Sequence, residues 1–362
     1  MQTLDIKAGP GSPAFCLVRT RSCRIEELAE LPGYVIKVST VNFLYWLIFH
    51  FYAISMYSLA SVRQQPAMFL SLTGLKTEEF DYLLSYFSYF WQAYHRHYDL
   101  KGKRRVIPKF KEAKNSSLPT DGDKLFFVLC FLKNNALQTF TGFAFGLSQS
   151  KTSQWIKVLL PLLEKSLKQA HQLPARSQAE LDKALQSVKE KIFFIDATER
   201  PLPRSTDEDN QQEDYSGKSH EHAMKNTLLT DQTGRVQYLS QTFQGRCHDR
   251  RMLDEEPIRL PKDSILFQDL GYLGHNPADV FLAMPERKPK NKELSPLQKA
   301  TNQLLNSFRV SVEHVISGVK RLRIVKDILR LKGYQVRDQV MLLACGLHNL
   351  RVSFRYPAGS TP

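Results

Sequence analysis

The sequence predicts an α/β fold in which an all-helical half precedes a half built on a sheet. Up to residue 190, apolar residues recur at helical spacing. From residue 191 the pattern changes to short runs rich in Ile, Phe, Val and Thr, which is typical of strands. With 362 residues, 42% of them hydrophobic and 24% charged, the chain has a globular composition and is long enough for two domains.

The helical half covers residues 63–170. A helix start is indicated at Thr77, where two glutamates follow and apolar residues then recur at helical spacing. Residues 101–122 are first basic and then rich in Ser, Pro, Gly and Asn, which predicts a loop. Residues 171–190 are a polar connector that is broken at Pro174, and they lead into the α/β domain.

Residues 137–163 have the pattern of a helix-turn-helix, with a short helix, a turn at Gly146 and a longer second helix. Such units place the start of the second helix against DNA base edges and phosphates. The candidate DNA-binding residues at this position are Gln149, Ser150, Lys151 and Gln154. Simple helix packing is the alternative, because any helix pair joined by a glycine turn has this spacing.

The second half, residues 191–355, is the α/β domain. The predicted strands are residues 191–196, 222–231, 235–243 and 264–269. Gly234 marks the turn between the second and third strands. The acidic insert 205–214 is predicted to be a surface loop, and a final helix is predicted near residues 334–354.

Two of these strands lead into an aspartate. Asp196 follows the apolar run "KIFFI", and Asp269 follows "SILFQ". Gly271 and Gly274 come next and allow a sharp turn or a close approach of the backbone to a ligand. If the two strands are adjacent and parallel, both carboxylates share the crevice where α/β sheets bind ligands. Two anions there repel unless a cation neutralises them, and hard oxygen ligands select Mg²⁺ or Mn²⁺.

A third candidate carboxylate is Glu313, in a predicted helix. It lies four residues after Arg309 and seven before Lys320, so the three side chains project within a narrow arc. This arc adjoins the buried stripe that contains Val312 and Val315. The arrangement suits a metal ligand flanked by phosphate-binding cations. Taken singly, each residue has an ordinary alternative, namely a turn aspartate or a surface ion pair.

The charge of the chain favours a polyanionic partner. Fifty Lys and Arg stand against 36 Asp and Glu, and basic residues concentrate in residues 101–114 and 287–337. Nucleic acid is the favoured partner, with an anionic membrane surface as the alternative. The five cysteines are scattered without a CxxC pair, which favours neither a disulfide framework nor a zinc site and fits a reducing cytoplasm.

Residues 41–62 are apolar and almost long enough to span a bilayer. The segment contains Asn42, His50 and several serines, and the residues before it lack the order of a signal peptide. We therefore expect a helix outside the main fold rather than a membrane span. Residues 1–62 are treated as an extension of doubtful status, and a start at Met56 is another interpretation.

Several motifs resemble the DDE transposases of bacterial insertion sequences, in the group related to Harbinger-type endonucleases. They are "IDATERP", "YSGKSHEHAMKN", "GRCHD", "DLGYLG" and the spacing of Arg309, Glu313 and Lys320. The resemblance covers roughly residues 64 to 355 and is most specific in the second half. One departure is Asn306, at a position where related transposases often carry a tyrosine.

The resemblance implies a ribonuclease H-like fold with Asp196, Asp269 and Glu313 as the catalytic, metal-binding triad. It implies DNA cleavage and strand transfer with two Mg²⁺ or Mn²⁺ ions. Arg309 and Lys320 would contact DNA phosphates. His248 and Asp249 match a recurrent pair that would support the metal ligands, and a helix N-cap explains them equally well.

The implied partner is double-stranded DNA, both the terminal inverted repeats of an element and the target. The protein would act as a homo-oligomer on DNA, in the cytoplasm and associated with the nucleoid, without a membrane. The alternative is a sequence-specific DNA-binding protein that has lost catalysis.

Overall fold

The structure, a computed structural model, describes residues 58–112, 116–186, 188–290 and 293–356. These residues belong to a single compact unit. Most of the apolar segment 41–62 lies outside the described residues. Among the described helices, none combines the length and hydropathy that crossing a membrane requires.

Helices fill the first part of the described chain, as predicted. They are α1 (Leu59–Arg63), α2 (Pro66–Thr73), α3 (Thr77–His97), α4 (Asp121–Asn134), α5 (Gln138–Ala144), α6 (Gln149–Gln169) and α7 (Gln178–Leu185). Helix α4 is apolar on all sides and is surrounded by α2, α3 and α6. Four residues join α5 to α6, and the Ser148 hydroxyl caps α6 by accepting from the Lys151 N–H.

A mixed sheet follows. Its strands are β1 (Ile192–Pro201), β2 (Tyr215–Ser216), β3 (Glu221–Asp231), β4 (Val236–Leu239), β5 (Phe243–Gln244), β6 (Ser264–Phe267) and β7 (Val280–Ala283). The order is β2-β3-β1-β6-β7, with β4 and β5 also paired to β3. Strand β1 is antiparallel to β3 and parallel to β6, and β6 is parallel to β7. The prediction of an α/β fold with a mixed sheet is confirmed.

Several predictions for this half were wrong. The predicted strand 235–243 forms two short strands, β4 and β5, and the two-residue strand β2 was not predicted. Strand β1 does not stop at Asp196 but continues to Pro201, because β3 supplies antiparallel partners along its whole length. Residues 205–214, predicted as a loop, include the helix α8 (Glu208–Asp214), which the Asp207 side chain caps at Asn210 N–H. Strand β7 was missed because its four apolar residues are too few to show a period.

The remaining helices cover the sheet. They are α9 (Asp249–Glu255), α10 (Pro296–Val319) and α11 (Tyr334–Arg355). Helix α11 is buried almost continuously from Val340 to Leu350 and packs against α6, α10 and β4. One hydrophobic cluster therefore joins the helical half to the sheet, with Leu159 and Leu343 fully buried in it. This shared core holds the two halves together.

The buried His348 on α11 is expected to make the free energy of unfolding depend on pH. Its Nε2 lies 2.9 Å from the Gly234 carbonyl oxygen, and burial lowers its pKa to about 4. The unfolded chain therefore binds more protons than the native one between pH 6.5 and 4. As the pH is lowered across this window, His348 is expected to contribute a loss of stability of about 3 kcal/mol, and no further loss at lower pH.

Urea unfolding of wild type and His348→Gln at a series of pH values measures this effect. The stability of the wild type relative to the variant is expected to fall by about 3 kcal/mol as the pH is lowered through that window. His97→Gln, at an exposed position, is the matched control. A His348→Gln variant with the wild-type pH dependence would contradict the prediction.

Candidate active site

Asp196 and Asp269 are brought to the same edge of the sheet by the pairing of β1 with β6. The two strands are parallel, and Phe194 lies opposite Phe267. Each aspartate is two residues beyond this pair, so both leave the paired segment at equivalent positions. The two strands are thus adjacent and parallel, which is the condition under which the sequence places both carboxylates in one crevice.

The two carboxylates interact electrostatically. Burial and the negative charge of Asp269 raise the pKa of Asp196 to about 6. A hydrogen bond of 2.8 Å from the Ala197 N–H, together with the charges of Arg309 and Lys218, opposes this rise. Above pH 6 the site therefore holds two neighbouring anions, an arrangement that favours binding of a cation.

Asp269 is fixed by the turn that follows β6. It caps the 3₁₀ turn Leu270–Tyr272, and its Oδ1 accepts from the Gly271 N–H at 2.6 Å. Its Oδ2 lies 3.5 Å from Arg309 Nη2 on α10. The carboxylate is thus held between a backbone donor and a cation.

Helix α10 carries the third predicted carboxylate along the same side as Arg309. Glu313, one turn after Arg309, is exposed and makes no hydrogen bond or ion pair within the described chain. Lys320, just after the helix, is partly buried, and its charge interacts with Glu199 and Asp196. Within residues 58–356, gaps excepted, no three His, Cys, Asp or Glu side chains are close enough to hold a metal. The structure therefore brings two members of the predicted triad together and leaves Glu313 on the flanking helix.

Parts of the chain are similar to known proteins. Residues 195–349 match the family model described as DDE superfamily endonuclease. The chain is 27% identical over 234 residues to a probable transposase for insertion sequence element IS702 from Microchaete diplosiphon, covering 64% of this chain and 81% of that protein. No solved structure matches the chain.

The chain carries a DDE superfamily endonuclease domain. The resemblance to DDE-type insertion-sequence transposases is thereby confirmed, and the protein is an enzyme of this nuclease and transposase class. Asp196 and Asp269 both lie within the matched residues, which we call the DDE domain.

A buried lysine of the DDE domain was not assigned to the site from the sequence. Lys225 on β3 is 6% exposed, and its Nζ lies 3.2 Å from Glu199 Oε1 and 3.5 Å from Asp249 Oδ1. Glu199 and Lys225 are cross-strand partners in the register of β1 and β3. The pairing depends on the part of β1 beyond Asp196, which the strand predicted from the sequence did not include.

The sequence left two roles open for His248 and Asp249, a helix N-cap and support of the metal ligands, and the two residues differ in this respect. His248 caps α9, with its Nδ1 accepting from the Arg250 N–H at 3.4 Å. Asp249 points toward the aspartate pair, because a side chain added at Gly271 would lie 2.8 Å from Asp269 Oδ1 and 3.1 Å from Asp249 Oδ2. Asp249 therefore lies beside Asp269 and is held there by Lys225.

Tyr272 is a further buried residue in the DDE domain. Its ring is fully buried, and its hydroxyl interacts with the Thr227 side chain. Burial and the charges of Asp196, Asp249 and Asp269 raise its pKa well above the ordinary value.

A substitution at Gly271 tests whether the positions of the Asp269 and Asp249 carboxylates matter for activity. The Gly271→Ala variant is expected to displace Asp269 and Asp249, because the added methyl group would contact both carboxylates. DNA cleavage by the variant should fall about 10²-fold, as expected for a misplacement of about 1 Å at a reacting centre. Gly217→Ala is the control, since its methyl group would meet nothing within 4 Å. Equal cleavage rates in the two variants would contradict this interpretation.

The predicted DNA-binding residues of the helix-turn-helix lie at the start of α6. Gln149, Ser150 and Lys151 are exposed in its first turn, and Gln154 is half-buried. Gln149 Nε2 donates to Gln138 Oε1 on α5 at 2.9 Å. The first three side chains are available to a ligand, whereas Gln154 is partly enclosed.

Proposed function

We propose that the protein is a DNA transposase that binds the ends of its element, cleaves a DNA strand and joins it to a target. The observation that carries the proposal is the pair of register-matched aspartates in a DDE endonuclease domain, with cations on the adjacent helix. Carboxylates beside cations that can bind phosphate are the groups that phosphodiester chemistry needs. The same arrangement supports assignment of a ribonuclease H-like fold.

The residues fit a divalent metal site. Asp196 and Asp269 supply hard oxygen donors whose mutual repulsion a cation relieves, and Glu313 would complete the set. We propose that these three residues hold two Mg²⁺ or Mn²⁺ ions. When bound, such ions activate a water or a DNA 3′-hydroxyl and stabilise the leaving oxygen.

The side chains around the pair position the DNA. Arg309 contacts Asp269 and Lys320 is partly buried near Asp196, so a phosphodiester bound to both cations would lie over the aspartates. Lys225 balances the charge of Asp249 and Glu199 and keeps their carboxylates in place. The start of α6 would read the terminal inverted repeats, and a homo-oligomer would hold two ends together.

The test uses the DNA that flanks the gene. Matched inverted repeats at its borders define the candidate ends, and duplexes carrying them are incubated with the full-length protein and Mg²⁺ or Mn²⁺. We expect nicking at the repeat boundary that EDTA abolishes. Specific binding without cleavage in either metal would instead establish a DNA-binding protein without catalysis.

A further inference from the structure

The loop Lys101–Lys111, here called the basic loop, follows helix α3 and is tied to its last turn. The Arg105 N–H donates to the His97 carbonyl oxygen at 2.7 Å, and the Lys109 N–H donates to the Arg96 carbonyl oxygen at 3.0 Å. Arg105 Nε donates to the Tyr98 carbonyl oxygen at 3.0 Å. The loop is therefore held in one position on the surface.

The tip of the basic loop is apolar and projects into solvent. Val106 is 99% exposed and Ile107 is 80% exposed, and Pro108 stiffens the backbone after them. Side chains of this kind normally pack against something, and two adjacent ones at this exposure indicate a contact with a partner. Phe110 is held on the loop by the Arg96 guanidinium, 4.9 Å from its ring centroid.

The charge of the basic loop identifies the kind of partner. Lys101, Lys103, Arg104 and Lys111 are exposed and form no ion pair within the described chain. The nearby acids are already engaged, because Asp99 accepts from two N–H groups of the loop and Glu112 binds Lys124 and Trp91. The surface is thus an apolar tip surrounded by uncompensated positive charge.

The basic loop and the start of α6 face the same space. Arg105 and Lys109 line a cavity of about 470 Å³ together with Ser148 and Lys151 from the first turn of α6. The Ser117 hydroxyl, just after the basic loop, donates to the Gly146 carbonyl oxygen in the α5–α6 turn at 3.1 Å. A duplex bound at α6 would therefore lie within reach of the loop.

We propose that the basic loop is a second DNA-contacting element, whose cations bind phosphates while Val106 and Ile107 enter the minor groove next to the major-groove site of α6. Cations around an apolar wedge match a bent minor groove, where apolar side chains separate base steps and neighbouring phosphates bind Lys and Arg. The inference rests on the proposed DNA transposase function. It deepens that proposal by assigning a groove and a contact element.

Binding is measured without cleavage, using full-length protein with Asp196→Asn and a mixed-sequence duplex labelled with 2-aminopurine. Adding Val106→Ser/Ile107→Ser should weaken binding about tenfold and abolish the 2-aminopurine signal of unstacking, without changing the salt dependence. Adding Lys103→Ala/Arg104→Ala should reduce the slope of log Kobs against log salt by about 2, at about 0.9 for each phosphate contact. Both pairs of side chains are exposed, so thermal unfolding should be unchanged.

Two matched controls use exposed residues elsewhere. One control is Leu297→Ser, since Leu297 is 76% exposed on α10. The other is Lys262→Ala, since Lys262 precedes β6 and lies at the opposite end of this strand from Asp269. Loop variants that bind and unstack the duplex as these controls do would overturn the proposal. Loss of binding to phosphatidylglycerol vesicles with unchanged DNA binding would overturn it in favour of a membrane contact. Because DNA binding is measured without catalysis, these binding results can be interpreted even if the cleavage test of the proposed function fails.

Discussion

The Asp196→Asn variant is expected to lose DNA cleavage while the metal-free protein becomes more stable. The carboxylate is buried beside Asp269, so its charge is unfavourable until a cation binds. Its removal should lower the cleavage rate by at least about 10³-fold, since metal-assisted catalysis contributes several kcal/mol. At pH 8 the free energy of unfolding without metal should rise by about 2 kcal/mol, because the repulsion and the buried charge are gone.

Cleavage assays and urea unfolding, each with and without Mn²⁺, test both halves of this prediction. Mn²⁺ should stabilise the wild type and have little effect on the variant, because a ligand stabilises the state that binds it. Asp209→Asn, in the exposed helix α8, is the control and should change neither property. A variant that cleaves DNA normally, or that responds to Mn²⁺ like the wild type, would remove Asp196 from the site.

The rigidity of the scaffold explains why the aspartate pair can be held together without a metal. Arg200, four residues after Asp196 on β1, is fully buried and donates to the Arg337 carbonyl oxygen at 2.8 Å. It also donates to Asn226 Oδ1 on β3 at 2.7 Å. These bonds fix β1 to α11 and β3, so the position of Asp196 is determined by buried contacts on both sides.

Local patterns in the sequence were sufficient to identify Asp196 and Asp269 as a candidate pair. Each residue follows an apolar run of strand type, and parallel pairing then places the two together at one sheet edge. The helix start at Thr77 and the final helix, observed as Tyr334–Arg355, were also predictable, because both helices have long periodic segments. In these cases the information lies within ten to twenty residues of the chain.

Contacts between distant segments were not predictable in the same way. The ion pairs of Lys225 depend on the register of β1 with β3 and on the placement of Asp249 in α9. Tyr272 lies in the motif "DLGYLG", but its proximity to Asp196 and Asp249 depends on residues that are distant in the chain. Helical spacing gave the direction of Glu313 relative to Arg309 but not its distance from the aspartates.

The Glu313→Gln variant is expected to lose cleavage with no change in folding or in DNA affinity. Its side chain is exposed and makes no hydrogen bond or ion pair within the described residues. Replacing the carboxylate by an amide should therefore leave the free energy of unfolding unchanged to within about 0.5 kcal/mol. If Glu313 is the third metal ligand, cleavage should fall by about 10³-fold, as for a residue that acts only in the metal-loaded complex. Cleavage rate, urea unfolding and duplex affinity are measured on the same preparation.

The combination of results distinguishes a ligand from a surface residue. His314→Gln changes the next exposed position of α10 and should leave cleavage intact, which shows that the helix itself tolerates substitution. Arg309 joins α10 to Asp269, so the helix that carries Glu313 already contacts the site. Retention of cleavage by Glu313→Gln within a few-fold of wild type would exclude Glu313 from the triad. The aspartate pair would then need another carboxylate, and Asp249, which lies beside Asp269, is a candidate.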